Sequence, residues 1–178
     1  LRHCMKTVND MERIVKDILS AARMGGSDFK LERTDLDISR MLQKACRKVM
    51  GRIEDKEMEL RQDIQPDFHY EGDARLMEKV FANVLDNAVA YSPRGAVVTV
   101  TLQDGVLSVE NSGIHIEQED LEQLFTPFYR VDKSRNRNSG GSGLGLYITK
   151  TILDHHGISY SMENTENGVR FTALFRLL

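Results

Sequence analysis

Val97-Val98-Thr99-Val100-Thr101-Leu102-Gln103-Asp104-Gly105-Val106-Leu107-Ser108-Val109 is the stretch that decides the fold. Val98, Val100 and Leu102 alternate with Thr99 and Thr101, the two-residue period of a strand with one buried face. Asp104-Gly105 supplies a tight turn, so residues 97–102 and 106–109 read as an antiparallel β-hairpin. Upstream lies a strong helix: Asp73 stands as N-cap, and Leu76, Val80, Phe81, Val84, Leu85 and Ala88 form one apolar face. Ser92-Pro93 ends that helix after Tyr91.

Further outward, Asp35 or Asp37 caps a helix over 38–53, and 58–64 reads as a strand closed by Gln65-Pro66-Asp67. Residues 29–32 make a short strand-like patch. Residues 5–24 form an amphipathic helix with Val8, Met11, Ile14, Val15, Ile18, Leu19 and Ala22 on one stripe, stopped by Gly25-Gly26. That stripe needs a surface: either the helix docks on the downstream domain or it pairs with another chain, and pairing is the favoured reading. Downstream come a short helix near Glu117, a polar stretch over 133–143 read as a mobile loop, a helix over 144–155, and a second hairpin, 158–162 with 169–174. Strands outnumber crossover units, which predicts a mixed, mostly antiparallel sheet with helices on one face.

The chain is 40% hydrophobic and 29% charged, ordinary globular composition, and its 178 residues suit one full α/β domain plus a short extra element. A net charge of −3 argues against a nucleic-acid-binding surface. Cys4 and Cys46 have no metal-ligand spacing and read as free thiols. No apolar run approaches the ~20 residues that span a bilayer. The chain opens at Leu1 inside a helical pattern, so the expectation is a fragment of a longer protein.

Four segments carry chemistry. Gly140-Gly141-Ser142-Gly143-Leu144-Gly145-Leu146 runs into a helix, where unpaired N–H groups and the positive dipole end suit phosphate. It is neither a Walker loop nor a dinucleotide fingerprint. Asn83 and Asn87 stand four apart on one helix face, and amide oxygens suit Mg²⁺. Glu110-Asn111-Ser112-Gly113-Ile114-His115-Ile116 leaves the hairpin, with a polar side chain able to reach a base edge. Leu124-Phe125-Thr126-Pro127-Phe128-Tyr129-Arg130 precedes the polar loop. There Phe125 and Phe128 read as core anchors, and Arg130, Arg135 and Arg137 as cations for phosphate. Taken singly, each segment also has a plain account: a flexible loop, a solvated polar face, a strand exit, a loop anchor.

In this order and spacing, the segments resemble the N box, first glycine box, F box and second glycine box of the sensor histidine kinases, within the GHKL superfamily of ATPases and kinases. The wording Arg23-Met24-Gly25-Gly26 and Arg130-Val131-Asp132-Lys133-Ser134-Arg135 is similar to the vancomycin-resistance-type sensors of Gram-positive bacteria. The resemblance implies an α+β fold: a two-layer α/β sandwich of the GHKL (Bergerat) type, preceded by one helix of the dimerisation domain. Residues 1–26 would be the truncated second helix of the dimerisation and histidine-phosphotransfer domain, and 27–178 the ATP-binding catalytic domain. The implied cofactors are ATP and Mg²⁺, with Asn87 on the metal and Asn83 and Arg130 beside the reacting phosphate. Tyr91, Asn111, Gly113, Ile116, Leu144 and Leu146 would contact the nucleotide, and Gly141, Gly143 and Gly145 would wrap its phosphates. Arg135 or Arg137 would reach the γ-phosphate from a lid over 131–139. Implied partners are a response regulator and the parent's own dimerisation domain. That parent would be homodimeric and anchored in the bacterial plasma membrane, with this portion in the cytoplasm.

The sequence departs from the family pattern at three places. Asn111 stands where the first glycine box usually opens with Asp, so its bond to an adenine amino group should be weaker, and His115 replaces a glycine of that box. Ala90 replaces a phosphate-reaching Lys, so weak ATP binding is expected. No His is followed by Glu, so the acceptor motif is missing and no autophosphorylation of this chain alone is expected. A chaperone- or topoisomerase-type ATPase is disfavoured, because its general-base Glu would stand where Asn83 does. A nucleotide-sensing scaffold without catalysis is the remaining alternative, motivated by Asn111 and Ala90.

Overall fold

A computed structural model describes residues 2–131 and 142–175, the side chains at 2–7, 9 and 10 excepted. In chain order the elements are α1 (Arg2–Met24), β1 (Arg33–Asp37), α2 (Ile38–Asp55), β2 (Glu59–Ile64), β3 (His69–Asp73) and α3 (Ala74–Tyr91). They continue with β4 (Val97–Gln103), β5 (Val106–Ser112), α4 (Gln118–Gln123), α5 (Gly145–His156), β6 (Ser159–Asn164) and β7 (Gly168–Leu174). Five strands form one sheet in the order β2-β4-β5-β7-β6. Only the β2–β4 pair is parallel; the other three pairings are antiparallel, so the sheet is mixed and mostly antiparallel, as its sequence predicts.

The hairpin sets the layering. Val98, Val100 and Leu102 of β4, Leu107 and Val109 of β5 and Phe171 and Ala173 of β7 all turn to one face and are buried. Against them pack Leu42, Cys46 and Val49 of α2, Val80, Phe81 and Leu85 of α3, and Ile148, Ile152 and Leu153 of α5. The alternate residues on the other face are mostly polar, with Val106 and Leu174 exposed at its edge, and there Arg170 pairs with Glu110 across the β5–β7 register. Among the described residues, helices therefore cover one face only, giving two layers around one core. Cys46 is a free thiol whose burial pushes its pKa up to about 11, so it behaves as a small apolar side chain.

Local signals explain the helix bounds. Asp37, and not Asp35, caps α2 by accepting from the Arg40 N–H at 2.9 Å; Asp35 pairs with His69 instead. Asp73 caps α3 by accepting from the Leu76 N–H. At the far end of α3, Lys56 donates from Nζ to the carbonyls of Val89, Ala90 and Ser92 at 2.7, 3.0 and 3.0 Å. Three otherwise orphaned carbonyls are satisfied by one cation.

The strand expected over 29–32 is not formed. Phe29 and Leu31 pack against the core, and Phe29 meets His155 in a tilted ring contact with centroids 4.8 Å apart. The strand begins at Arg33 and pairs in a separate two-stranded sheet with β3, a strand that the sequence pattern does not announce. On α1, Met24 is buried and its carbonyl accepts from His155 Nε2 at 3.0 Å, while Asp17 pairs with Lys79 of α3 at 2.7 Å. One side of α1 thus docks on α5 and α3. Val8, Met11, Val15, Ile18 and Leu19, the apolar stripe, stay exposed.

Candidate functional site

α3 carries Asn83, Asn87 and Tyr91 at four-residue steps, so one face presents three candidate side chains over roughly 12 Å of helix axis. That face borders a cavity of about 320 Å³, within the range of small-molecule sites. Its two ends differ in chemistry, because α3 meets different elements along its length.

At the Asn83 end, α3 crosses the start of α5. Asn83 Nδ2 donates to the Gly145 carbonyl at 3.0 Å and to Thr149 Oγ1 at 3.4 Å. Asn83 and Asn87 share one helix face, as their spacing predicts, but the Asn83 amide is not free for a ligand: it holds α5 in place. α5 begins without a side-chain cap at Leu144. Gly145 and Leu146 border the cavity, so the first backbone N–H groups of α5 and the positive end of its dipole stand at its wall.

The approach to α5 is made by a contact between two segments far apart in sequence. Gly143 has φ of +71°, and a Cβ there would lie 2.9 Å from the Phe128 backbone. Its carbonyl accepts from the Phe128 N–H at 2.9 Å, and Phe128 is itself left-handed, with φ of +65°. Phe128 is 64% exposed and is no core anchor. It is a backbone clasp, whereas Phe125 packs on Tyr160 as expected, with centroids 5.0 Å apart. Next to the clasp, Tyr129 and Arg130 border the cavity, and the Tyr129 hydroxyl donates to Asp120, which raises the Tyr129 pKa and keeps it a neutral donor.

At the Tyr91 end the floor is apolar: Val109, Met162, Val169 and Phe171. Here Asn111, buried in the last part of β5, points a carboxamide at the cavity. Its backbone is clamped between β4 and β7. Gly168 approaches it so closely that a Cβ there would fall 2.0 Å from the Asn111 carbonyl oxygen. Gly113, with φ of +80°, sits against Pro93 where a Cβ would meet Cγ at 2.8 Å, so it shapes the loop and does not line the cavity. Asn164 then fixes Ile116 at both backbone groups, accepting from its N–H at 3.0 Å and donating to its carbonyl at 2.7 Å.

Of the residues named from the sequence, Asn83, Asn87, Tyr91, Asn111, Ile116, Arg130, Gly143, Gly145 and Leu146 border this one cavity. The Leu144 side chain is buried in the core. Arg135, Arg137 and Gly141 lie outside the described residues. Sequence reasoning missed Met162, Val169 and Phe171, which the two-residue period of the last hairpin puts on the same face as Val109. It also missed Arg13 and Asp17 of α1, which reach the cavity margin. Among the described residues no cluster of three or more His, Cys, Asp or Glu could hold a metal ion. A cation here would rely on an amide oxygen and on its ligand's own anionic groups.

Comparison with known proteins identifies the family and the fold. The family profile described as histidine kinase-, DNA gyrase B- and HSP90-like ATPase matches residues 72–178. Sensor protein VanSB of Enterococcus faecalis is 34% identical over 175 residues, which cover 96% of this chain and 39% of that relative's length. The chain therefore spans about two fifths of that protein. Among solved structures, the catalytic domain of histidine kinase ThkA superposes with a TM-score of 0.71 at 28% identity, covering 80% of this chain and 95% of that one. Histidine kinase ThkA in complex with response regulator protein TrrA superposes at 0.75 with 26% identity, covering 95% and 48%.

Proposed function

The chain belongs to the histidine kinase-, DNA gyrase B- and HSP90-like ATPases, and from that premise we propose that it is the ATP-binding catalytic portion of a two-component sensor histidine kinase. In this reading it binds ATP with Mg²⁺ and passes the γ-phosphoryl group to a histidine on the parent's dimerisation domain, for relay to a response regulator. The relation of ThkA to its response regulator in the solved complex supports that last step by analogy. The exposed apolar stripe of α1 supports the assignment of residues 1–26 to a helix that pairs in a homodimer. No described helix is long and apolar enough to cross a membrane, so the parent's anchor is proposed from its relatives alone.

The observation that carries the reading is the polarity of the cavity along α3. Its apolar Tyr91 end, with the buried Asn111 carboxamide, suits a planar base that offers an amino group. Its Asn83 end, with the start of α5 and Arg130, suits a polyphosphate. Mg²⁺ when bound would neutralise charge on the phosphates, and its preference for few protein oxygens and several waters fits Asn87. Gly141 and either Arg135 or Arg137, which lie outside the described residues, are proposed as further contacts to the phosphates.

Phosphotransfer to a histidine asks little covalent chemistry of the protein beyond positioning and charge. The acceptor imidazole nitrogen attacks the γ-phosphorus in line, and the bond to the bridging oxygen breaks to leave ADP. Hydrolysis would instead need a base for water. Asn83 stands at that position, an amide with no basicity whose Nδ2 is already engaged by Gly145 and Thr149. This favours a kinase over a chaperone- or topoisomerase-type ATPase.

The test is reconstitution. The chain, γ-labelled ATP and Mg²⁺ are mixed with and without a separately supplied dimerisation domain bearing the acceptor histidine. Acid-labile label on the added domain, and none on the chain alone, is the expected outcome. Stable label on the chain itself, or ATP turnover with no transfer, would overturn the proposal.

A further inference from the structure

Asn111 faces the base end of the cavity, and whether its amide shows a donor or an acceptor there decides which bases it can accept. Its neighbours settle this. Ser92 Oγ lies 2.6 Å from the Ala88 carbonyl oxygen, a group that can only accept. The single hydroxyl proton of Ser92 must occupy that contact, since otherwise two lone pairs would face each other at 2.6 Å. Towards Asn111, 3.1 Å away, Ser92 Oγ then has only lone pairs to offer. The Asn111 atom facing it must be the NH₂ group, and Oδ1 is turned to the other edge, where no donor among the described residues meets it.

The relay is held rigidly at both ends. Asn111 is fixed by strand pairing on two sides. Ser92 is buried, and its carbonyl is one of the three that Lys56 binds. Ser92 does not border the cavity, so it acts through Asn111 and not on the ligand.

Resting on the nucleotide reading above, we infer that Ser92 is a specificity-determining positioning residue: it locks the Asn111 carboxamide with its acceptor toward the base, selecting a 6-amino purine over a 6-oxo purine. An Asp in this place would need no such lock, because both carboxylate oxygens accept. The Asn in this chain does need one. A free amide turns over and serves adenine through Oδ1 or hypoxanthine through Nδ2.

The experiment titrates the chain with ADP·Mg and with IDP·Mg, which differ at position 6 and the adjoining ring nitrogen. The wild-type chain should prefer ADP by about tenfold, the worth of one buried hydrogen bond against two opposed acceptors. Ser92→Ala should bring the two affinities within about threefold of each other, mainly through tighter IDP binding. Ser92→Ala combined with Asn111→Asp should regain the preference. General damage to the fold would weaken both nucleotides together and would not be rescued in this way. Asn111→Asp alone, which does not depend on Ser92→Ala folding, should keep the wild-type ADP preference; had the wild-type amide shown its NH₂ to the base, the substitution would instead reverse a preference for IDP, and that result overturns the inference. Equal affinities in the wild type, or an unchanged ratio in Ser92→Ala, overturn the inference and leave the nucleotide site standing. Binding of neither nucleotide by the wild type overturns the nucleotide reading, and the inference with it.

Discussion

His156 is held between two backbone groups that allow it one tautomer. Nε2 lies 3.0 Å from the Asp73 N–H, which can only donate, so Nε2 accepts and Nδ1 carries the proton to the Ile152 carbonyl at 2.7 Å. Burial holds its pKa below the ordinary histidine value; the Ile152 carbonyl and Asp73 oppose the shift, and Arg33 and His155 add to it. A depressed histidine pKa means that the unfolded chain takes up the proton first, so the contribution to stability is full above about pH 6.5 and is lost as pH falls through the folded value. His69 beside Asp35 works the other way, its hydrogen bond raising its pKa, but that pair is exposed and screened. Denaturation midpoints measured from pH 7.5 to 5.5 should therefore fall for the wild type. His156→Phe, less stable overall, should show a shallower slope because it cannot protonate. Equal slopes for the two proteins would remove His156 from the account.

Elements, more than single residues, shape the phosphate end. The start of α5 is placed by the clasp between Gly143 and Phe128 and by the Asn83 bond to Gly145, so three segments converge where one glycine-rich loop is visible in sequence. Gly143→Ala adds a Cβ in a left-handed conformation and drives it into the Phe128 backbone, which cannot rotate away as a side chain could. Gly95→Ala is the matched control, with φ of +78° and nothing within 4 Å of the added Cβ. Both should cost about 1–2 kcal/mol in backbone strain. Gly143→Ala alone should also weaken nucleotide binding, by about tenfold or more. Chemical denaturation and nucleotide titration of the two variants give the comparison, and indistinguishable affinities would show that the clasp does not position α5. α1 makes a contrasting case. Its docked side, through Asp17 and Met24, and its open stripe at Met11, Val15 and Leu19 belong to different surfaces. Burying each of those stripe side chains is worth about 1.5–3 kcal/mol, which fits a helix made to pair elsewhere.

Across the whole molecule, legibility followed apolar periodicity. The β4–β5 hairpin, α3 and α5 were readable because their buried residues repeat at two or at three to four positions. β3, His-Tyr-Glu-Gly-Asp, was not, because it pairs in a small outer sheet with little apolar content. Phe29 and Leu31 misled for the opposite reason: they are apolar, but they plug the core from irregular backbone. At the site, nine of the residues named from the motifs border one cavity while Gly113 and Leu144 do not, and the places of Arg13, Asp17 and Ser92 were hidden. Their positions depend on docking and on hydrogen bonds between segments, which no local pattern encodes. Phe128 was misassigned because an aromatic beside a core element reads as packing, whereas here its backbone does the work.

The central claim is that one cavity, running from Asn111 past Asn87 to the start of α5, holds the nucleotide. A titration of the ¹⁵N-labelled chain with ADP·Mg, followed at backbone and Asn side-chain amides, tests it most directly. Saturable shifts should gather at Asn87, Tyr91, Asn111, Gly113, Ile116 and Gly143 to Leu146, with the Asn111 side-chain amide moving in step with them. No saturation at millimolar ADP, or shifts centred on α2 or on the polar face of the sheet, would contradict the account.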